Sequence, residues 1–392
     1  MGRHHDDEYK YRDYRSRNYR RHVHFVEPYT RKIRRPTELE LLCKNPLCDH
    51  KSYFYDSTSV DSPTITKIEC IDDLLALGMS YHCRKNLVYH GINLRILSNL
   101  VEPLLELERM IGLKEVKTKI IDQILFFVQN YDEKKKCNEC VDCKFGLPCM
   151  KCNTDMLHTV ITGSPGVGKT ELGKIIGKIY KEIGILSKGT FEIVSRSDLI
   201  GQYLGQTAIK TQKVIDRCKG GVMFIDEAYS LGHHDLRDSF SKECIDTLTH
   251  NLSENRDLLC IIAGYEKDLE NCFFKFNDGL RRRFTFRYDL KGYSPEELFE
   301  IFKLKIITNG FELESSKDEI IKLITINKEY FPNYAGDIET FVLYCKISHS
   351  RRIIFEKTKR NVINFDDVKI GLELFVSNRK PNKDEPPEGM FS

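Results

Sequence analysis

Apolar positions recur along this chain at two different spacings, and most of its length can be sorted by which one a stretch follows. Between residues 102 and 131, Leu104, Leu105, Leu107, Met110 and Ile111, then Val116, Ile120, Ile121, Ile124, Leu125 and Val128, return every three or four positions. That is the period of one helix face, and Gly112 divides the stretch into two expected helices. From residue 159 the pattern changes. Short apolar runs at Thr159–Gly163, Phe191–Val194, Gly221–Ile225, Leu259–Ala263 and Phe284–Tyr288 are separated by helical stretches at Glu171–Tyr180, Thr207–Cys218 and Cys244–Leu252. Runs without polar alternation suit strands buried on both faces, and strands alternating with helices predict an α/β fold around a parallel sheet. After residue 294 the helical period takes over at Pro295–Ile306, Lys317–Asn327, Asp337–Ser350 and Phe365–Phe375, which predicts a small α-helical lid.

The flanks lack this regularity. Residues 1–36 interleave Tyr with Arg and carry few aliphatics. Such a stretch cannot bury enough apolar surface to offset its ordering entropy and is expected to be a basic disordered arm. Residues 37–101 hold Cys43, Cys48, His50, Cys70, His82 and Cys83 beside two apolar clusters at helical spacing (Ile71, Leu74, Leu75, Leu77; Leu94, Ile96, Leu97). They are expected to form an accessory region or wrap, its Cys and His being core or surface residues rather than a second metal site. The remaining order is helices over 102–136, a cysteine-rich insertion at 137–152, the α/β unit over 153–291, the lid over 292–378, and a disordered, proline-containing tail at 379–392.

Composition narrows the class. The chain has 392 residues, 41% hydrophobic and 30% charged, with a formal net charge of +3. That balance does not make the whole molecule a nucleic-acid binder. No apolar run approaches the roughly 18 residues of a membrane span, and the polar N-terminus is not a secretory signal. An intracellular, cytoplasmic protein is expected, with its 14 cysteines reduced or ligating metal rather than paired.

The chemistry is most legible at Gly163-Ser164-Pro165-Gly166-Val167-Gly168-Lys169-Thr170. It matches G-x-x-x-x-G-K-[ST] between a predicted strand and a predicted helix. Glycines let backbone amides curl round phosphates, and the helix N-terminus adds free N–H groups. Lys169 is expected to reach the β and γ phosphates of ATP, and the Thr170 hydroxyl to bind Mg²⁺. The apolar strand ending Val222-Met223-Phe224-Ile225-Asp226-Glu227 supplies the second half of such a site. Asp226 would hold Mg²⁺ through its water shell and Glu227 would polarise the attacking water; the plainer alternative is two solvated acids capping a helix.

On these residues, together with Gln202-Tyr203-Leu204-Gly205-Gln206-Thr207-Ala208, the continuation Ala228-Tyr229-Ser230-Leu231, Lys242 to Leu248, Ile262-Ala263-Gly264-Tyr265, and Gly279-Leu280-Arg281-Arg282-Arg283-Phe284, the chain resembles the CbxX/CfxQ branch of AAA+ ATPases over about residues 105–375. That branch includes red-type Rubisco activases and sporulation-stage ATPases, and the flanks are similar to CfxQ-like proteins of large DNA viruses. The resemblance implies a P-loop core with a helical lid, hydrolysis of ATP, and assembly into a ring, expected to be a hexamer that tugs on a client polypeptide. It also implies that Tyr203, Leu204 and Gly205 face the pore, and that an Arg from a neighbouring copy completes the site, Arg283 first and Arg281 second. Two positions depart from the family. Gly264-Tyr265 stands where AAA proteins usually carry a polar Asn after the strand, as in this branch, and Glu339 of Gly336-Asp337-Ile338-Glu339 stands where bacterial members carry a lid Arg.

Cys137, Cys140, Cys143, Cys149 and Cys152 offer five thiols within one short stretch around Gly146 and Pro148. Two C-x-x-C knuckles suit tetrahedral Zn²⁺, through Cys140, Cys143, Cys149 and Cys152 or with Cys137 replacing one of the inner pair. A redox switch, free thiols or an iron–sulfur cluster are the alternatives. The Tyr/Arg arm could contact nucleic acid by phosphate neutralisation and stacking, or could be a solvated tail. The leading expectation is a protein-remodelling ATPase. The alternatives are a nucleic-acid-associated ATPase and a non-hydrolysing scaffold.

Overall fold

Five buried strands set the architecture. In the computed structural model the described residues are 67–79, 88–89, 92–129, 157–203, 205–232, 238–255, 257–354 and 360–379. The chain divides into Met1–Thr37 and Glu38–Ser392, and every described residue belongs to the second unit. The basic arm, the cysteine insertion 137–152, the tail beyond residue 379, Leu204, Cys43, Cys48, His50, His82 and Cys83 lie outside the described residues.

Strands β3 (His158–Gly163), β4 (Phe191–Val194), β5 (Val222–Ile225), β6 (Leu259–Gly264) and β7 (Phe284–Leu290) form one sheet in the order β4-β5-β6-β3-β7, with every pairing parallel. Successive side chains leave opposite faces. Ile161, Val222, Phe224 and Ile261 therefore join the core on one face, and Val160, Met223, Ile225 and Ile262 that on the other. The first face is covered by α5 (Lys169–Ile183), the second by α6 (Thr207–Cys218) and α7 (Ser239–Glu254). Helix α5 seats unusually close to β5. A Cβ at Gly173 would lie 2.8 Å from the Phe224 ring, and one at Gly177 would lie 2.7 Å from Val222.

The helices before the sheet belong to the same core. These are α1 (Ile71–Met79), α2 (Leu94–Asn99), α3 (Val101–Arg109) and α4 (Lys114–Val128), the second following a short hairpin of β1 (Val88–Tyr89) and β2 (Ile92–Asn93). Leu74, Leu97, Leu104, Ile120 and Phe127 are wholly or almost wholly buried in the cluster that holds α5. Polar links reinforce the seat. Lys178 on α5 pairs with Glu106 on α3 at 2.6 Å, and Gln123 on α4 accepts the hydroxyls of Tyr180 and Tyr288. Helices α1 to α4 thus share the core on the α5 face of the sheet.

The lid comprises α8 (Pro295–Thr308), α9 (Lys317–Ile326), α10 (Tyr334–Ile353) and α11 (Phe365–Ser377). Helix α8 opens with a capping box of Ser294 and Glu297 and a proline in its first turn, a sharp start after β7. Phe302 stacks on Phe341 and Phe331 on Phe375, each at 5.0 Å between ring centroids. A small parallel pair, β8 (Glu312–Glu314) with β9 (Val362–Asn364), interrupts the helices; three-residue strands leave too weak a period to read from sequence. No helix among the described residues is long and apolar enough to cross a membrane.

Two buried acids fasten the lid. Asp367 accepts from Arg352 Nη2 at 2.7 Å and Asn364 N at 3.2 Å, with His349 Nδ1 at 3.1 Å. Asp337 accepts Asn333 N at 2.6 Å and pairs with Arg379. Burial pushes the Asp367 carboxyl up, but Arg352, the Asn364 amide and His349 together outweigh it and hold its pKa below 3.8. Its stabilisation is therefore present above that pH and is lost as pH falls through the lowered value. Asp367→Asn removes the buried anion that Arg352 and His349 face and is expected to destabilise the chain by about 3 kcal/mol at neutral pH. Thermal melts of the two proteins at pH 7 and pH 3 check this, with the gap narrowing at the lower pH.

Candidate active site

The phosphate loop leaves β3 at Gly163 and enters α5 at Lys169. Gly163, Gly166 and Gly168 have φ of +146°, +72° and +94°. These left-handed values point the loop's backbone inward without a Cβ penalty. The first turn of α5 then contributes N–H groups that have no intrahelical acceptor. The Lys169 ammonium is half-buried and bends over the loop, donating to the carbonyls of Gly163 at 2.9 Å and Ser164 at 3.0 Å. Burial lowers its pKa, while Asp226 and Glu227 raise it. The glycine cradle, the lysine and the helix start fit a polyphosphate.

The acids follow β5 directly. Asp226 Oδ1 accepts the Glu227 amide at 3.0 Å, and Glu227 sits at φ +50°, a strained value for a side-chain-bearing residue. The Tyr229 hydroxyl faces the Glu227 carboxylate. Burial first, and then Glu227, push that phenol up to about 12, so it remains a neutral donor through the physiological range. Its ring lies 6.2 Å from that of Tyr265 and rests on Gly264, where a Cβ would come within 2.9 Å of it. The Gly264-Tyr265 step is thus the seat of Tyr229. Lys169 Nζ lies 5.9 Å from the Tyr265 ring centroid.

Lid and core meet over the loop. A cavity of about 480 Å³ is lined by Lys169, Thr170, Asp226, Glu227 and Tyr265 from the core and by Lys305, Ala335, Gly336 and Glu339 from the lid. The Ala335 amide donates to the Gly166 carbonyl at 3.2 Å, and a Cβ on Gly166 would fall 1.9 Å from the Asn333 carbonyl oxygen. Tyr293 donates its hydroxyl to Val167 O at 2.9 Å, and Met110 Cε lies 3.2 Å from where a Cβ of Gly168 would stand. Leu113 (φ +57°) and Tyr334 (φ +46°) are, with Glu227, the only non-glycine residues at positive φ among the described residues. Leu113 begins the helix that follows Met110 and Gly112, and Tyr334 stands between Asn333 and Ala335, so all three strained positions belong to segments round the loop.

Sequence reading found the loop and the acids, and the structure brings Lys169, Thr170, Asp226 and Glu227 to one cavity. It missed Met110, Tyr229, Tyr293, Lys305, Asn333 and Ala335. For Tyr293 a signal was available, since Gly292-Tyr293 joins β7 to the capping box that opens α8. Tyr229 stood in the continuation of the acidic motif, without a role assigned to it. Met110, Lys305, Asn333 and Ala335 depend on contacts across the fold. Tyr203, Gly205, Arg281 and Arg283 are not among the residues lining the cavity. Tyr203 is 68% exposed, and Gly205 has φ +80° with open space where a Cβ would be. Arg283 is held within its own chain, donating to Ser253 Oγ and Gly279 O, both at 2.6 Å. Arg281 pairs with Glu270, which also binds Arg287. Among the described residues no group of three or more His, Cys, Asp or Glu could hold a metal, and the five cysteines of the insertion lie outside them.

Comparison with known proteins agrees with this geometry. Residues 159–291 match the ATPase family associated with various cellular activities (AAA). A cfxQ-like protein of Acanthamoeba polyphaga mimivirus is 37% identical over 363 residues, 90% of this chain and 84% of that protein. Stage V sporulation protein K of Bacillus subtilis is 34% identical over 64% of this chain and 72% of its own length. Protein CbbX of Cereibacter sphaeroides is 39% identical over 61% and 74%.

The contact between Gly166 and Asn333 is testable by itself. Gly166→Ala puts a methyl group into the Asn333 carbonyl at a left-handed φ, which is expected to cost about 2 kcal/mol or more and to prise the lid from the loop. A fall of several degrees in Tm, with loss of the thermal shift given by added Mg·ATP, is the expected result.

Proposed function

Because this chain belongs to the CfxQ-like branch of the AAA family of ATPases, we propose that it forms a ring, a hexamer, that uses ATP hydrolysis to pull on and remodel a client polypeptide. ATP hydrolysis itself is the activity of the family. The observation that carries the rest is the make-up of the cavity, where two lysines and no arginine from this chain face the phosphate loop among the described residues. Charge building up on a transferring phosphoryl group is commonly met by a guanidinium. A neighbouring copy is the proposed source. Arg283 and Arg281 are the candidates, the first engaged within its own chain by Ser253 and Gly279 and the second by Glu270, with Arg281 54% exposed at its side chain.

In the proposed mechanism the backbone N–H groups between Gly163 and Lys169, Pro165 excepted, and the Lys169 ammonium bind the β and γ phosphates. Thr170 and Asp226 are the groups that would hold Mg²⁺, which when bound supplies charge neutralisation on the phosphate oxygens. Glu227 orients a water for in-line attack and takes up its proton. A bond forms from the water oxygen to the γ-phosphorus as the bond to the β–γ bridging oxygen breaks, releasing phosphate and ADP. Tyr229 fixes the direction of the Glu227 carboxylate until then. For the client, Tyr203 and Gly205 support a gripping loop: an exposed ring beside backbone free to bend can hold an extended chain by apolar contact without reading its sequence. Spacing alone proposes Cys140, Cys143, Cys149 and Cys152, or a set including Cys137, as thiolate ligands of a zinc knuckle.

Hydrolysis measured across protein concentration tests the ring. Wild type is expected to hydrolyse Mg·ATP with a rate per chain that rises with concentration, while Glu227→Gln binds ATP but hydrolyses at least about 100-fold more slowly. Stimulation by an unfolded polypeptide is expected in wild type and absent in Tyr203→Ala. A rate per chain independent of concentration, at concentrations where the protein stays monomeric by light scattering, would sink the ring. Metal analysis of purified protein checks the knuckle, with about one zinc per chain expected and none in a Cys140→Ser, Cys149→Ser double variant.

A further inference from the structure

The lid carries a cation into the nucleotide cavity from an unexpected place. The family position for a lid arginine is taken by Glu339, which lines the cavity near the start of α10. Lys305, in the last turn of α8, lines the same cavity, and its ammonium lies 3.1 Å from Glu339 Oε1. The cavity wall otherwise holds one cation, Lys169, against Glu171, Asp226 and Glu227. Four carboxylates and two ammonium groups leave the empty pocket net acidic, and a nucleoside triphosphate brings further negative charge.

We propose that Lys305 is a second phosphate-binding cation of this site, kept at the cavity mouth by Glu339 and handed over to the terminal phosphate when nucleotide binds. This rests on the nucleotide-site reading above and deepens it. Three features of the pair suit an exchange. It is open to water, with Lys305 39% and Glu339 68% exposed at the side chain, so its own contribution is small and breaking it leaves neither group stranded. Its members come from two helices of the lid rather than one, so a change of partner for Lys305 is felt between α8 and α10. A lysine stem is long and flexible enough to swing between a carboxylate and a phosphate without backbone movement. The triphosphate oxygens carry more charge than one carboxylate and are expected to win the competition; the terminal phosphate, absent from ADP, is the group the proposal assigns to Lys305.

Glu339 and Lys305 then act with opposite signs on affinity. Removing the lysine removes a phosphate contact, whereas removing the carboxylate frees the lysine in advance. A pair that merely braces the lid would give the same sign for both.

The test is binding of Mg·ATPγS and Mg·ADP to the full chain by calorimetry, comparing wild type, Lys305→Met, Lys305→Arg, Glu339→Gln and the Lys305→Met, Glu339→Gln double variant, with Tm recorded for each. Lys305→Met is expected to weaken ATPγS about tenfold, as loss of one charge-assisted contact does. ADP should change by no more than about twofold, and Lys305→Arg should restore most of the ATPγS affinity. Glu339→Gln is expected to tighten ATPγS by about threefold, and the double variant to lose that gain. Unchanged ATPγS affinity in Lys305→Met overturns the proposal, as does weakening by both single variants. If wild type itself binds neither nucleotide, the nucleotide-site reading fails first.

Discussion

Parallel strands deliver their C-terminal ends to one edge of a sheet, and in this chain that edge is where the chemistry lies. Pairing of Thr162 with Gly264 and of Ile225 with Ile262 sets β3, β6 and β5 in a register that ends all three within a few residues of each other. The phosphate loop, the acids Asp226 and Glu227, and the Gly264-Tyr265 step therefore emerge side by side although they are remote in sequence. A slip of one residue in any of these strands would turn its side chains to the opposite core and shift the acids along the edge of the sheet. The apolar cores on the two faces hold the register, so the position of the carboxylates is fixed by Val222, Phe224, Met223 and Ile225 rather than by contacts of their own.

Much of this was legible in the residues because it is local or periodic. Apolar runs gave the five strands to within two residues at most of their ends, the loop announced itself by its glycines and lysine, and Gly112 marked the break between α3 and α4. What escaped was set by packing between distant segments. Nothing near Lys305 in the sequence distinguishes it from the exposed Lys303 two residues earlier; only the crossing of α8 and α10 turns it into the cavity. Asn333 and Ala335 carry no motif, since they act through backbone groups that any residue possesses. The starts of α5 and α10 were read late for a similar reason. Lys169 and Tyr334 begin helices from polar or strained positions that contribute nothing to an apolar period.

Charge is distributed differently in the two halves of the site. The lid's two buried acids, Asp337 and Asp367, are each matched by an arginine and by backbone amides, and such satisfied groups fix one arrangement of helices rather than adding much stability. Asp337 matters most for the site, because it holds Asn333, whose carbonyl abuts Gly166. In the cavity the carboxylates are open and outnumber the ammonium groups, so the charge there is balanced only when a divalent cation joins the site.

Helix α10 gives this arrangement a mechanical scale. It is rooted on the phosphate loop through Ala335 and Gly166 and runs 20 residues to Ile353, a rod of about 30 Å. The bearing and the site of reaction therefore coincide. With the short arm near zero and the long arm spanning the lid, a turn of about 10° at Ala335 sweeps the far end through about 5 Å, the pitch of one helical turn. A displacement at Gly166 too small to disturb the sheet would thereby reach the size of a whole side chain at the Ile353 end of α10.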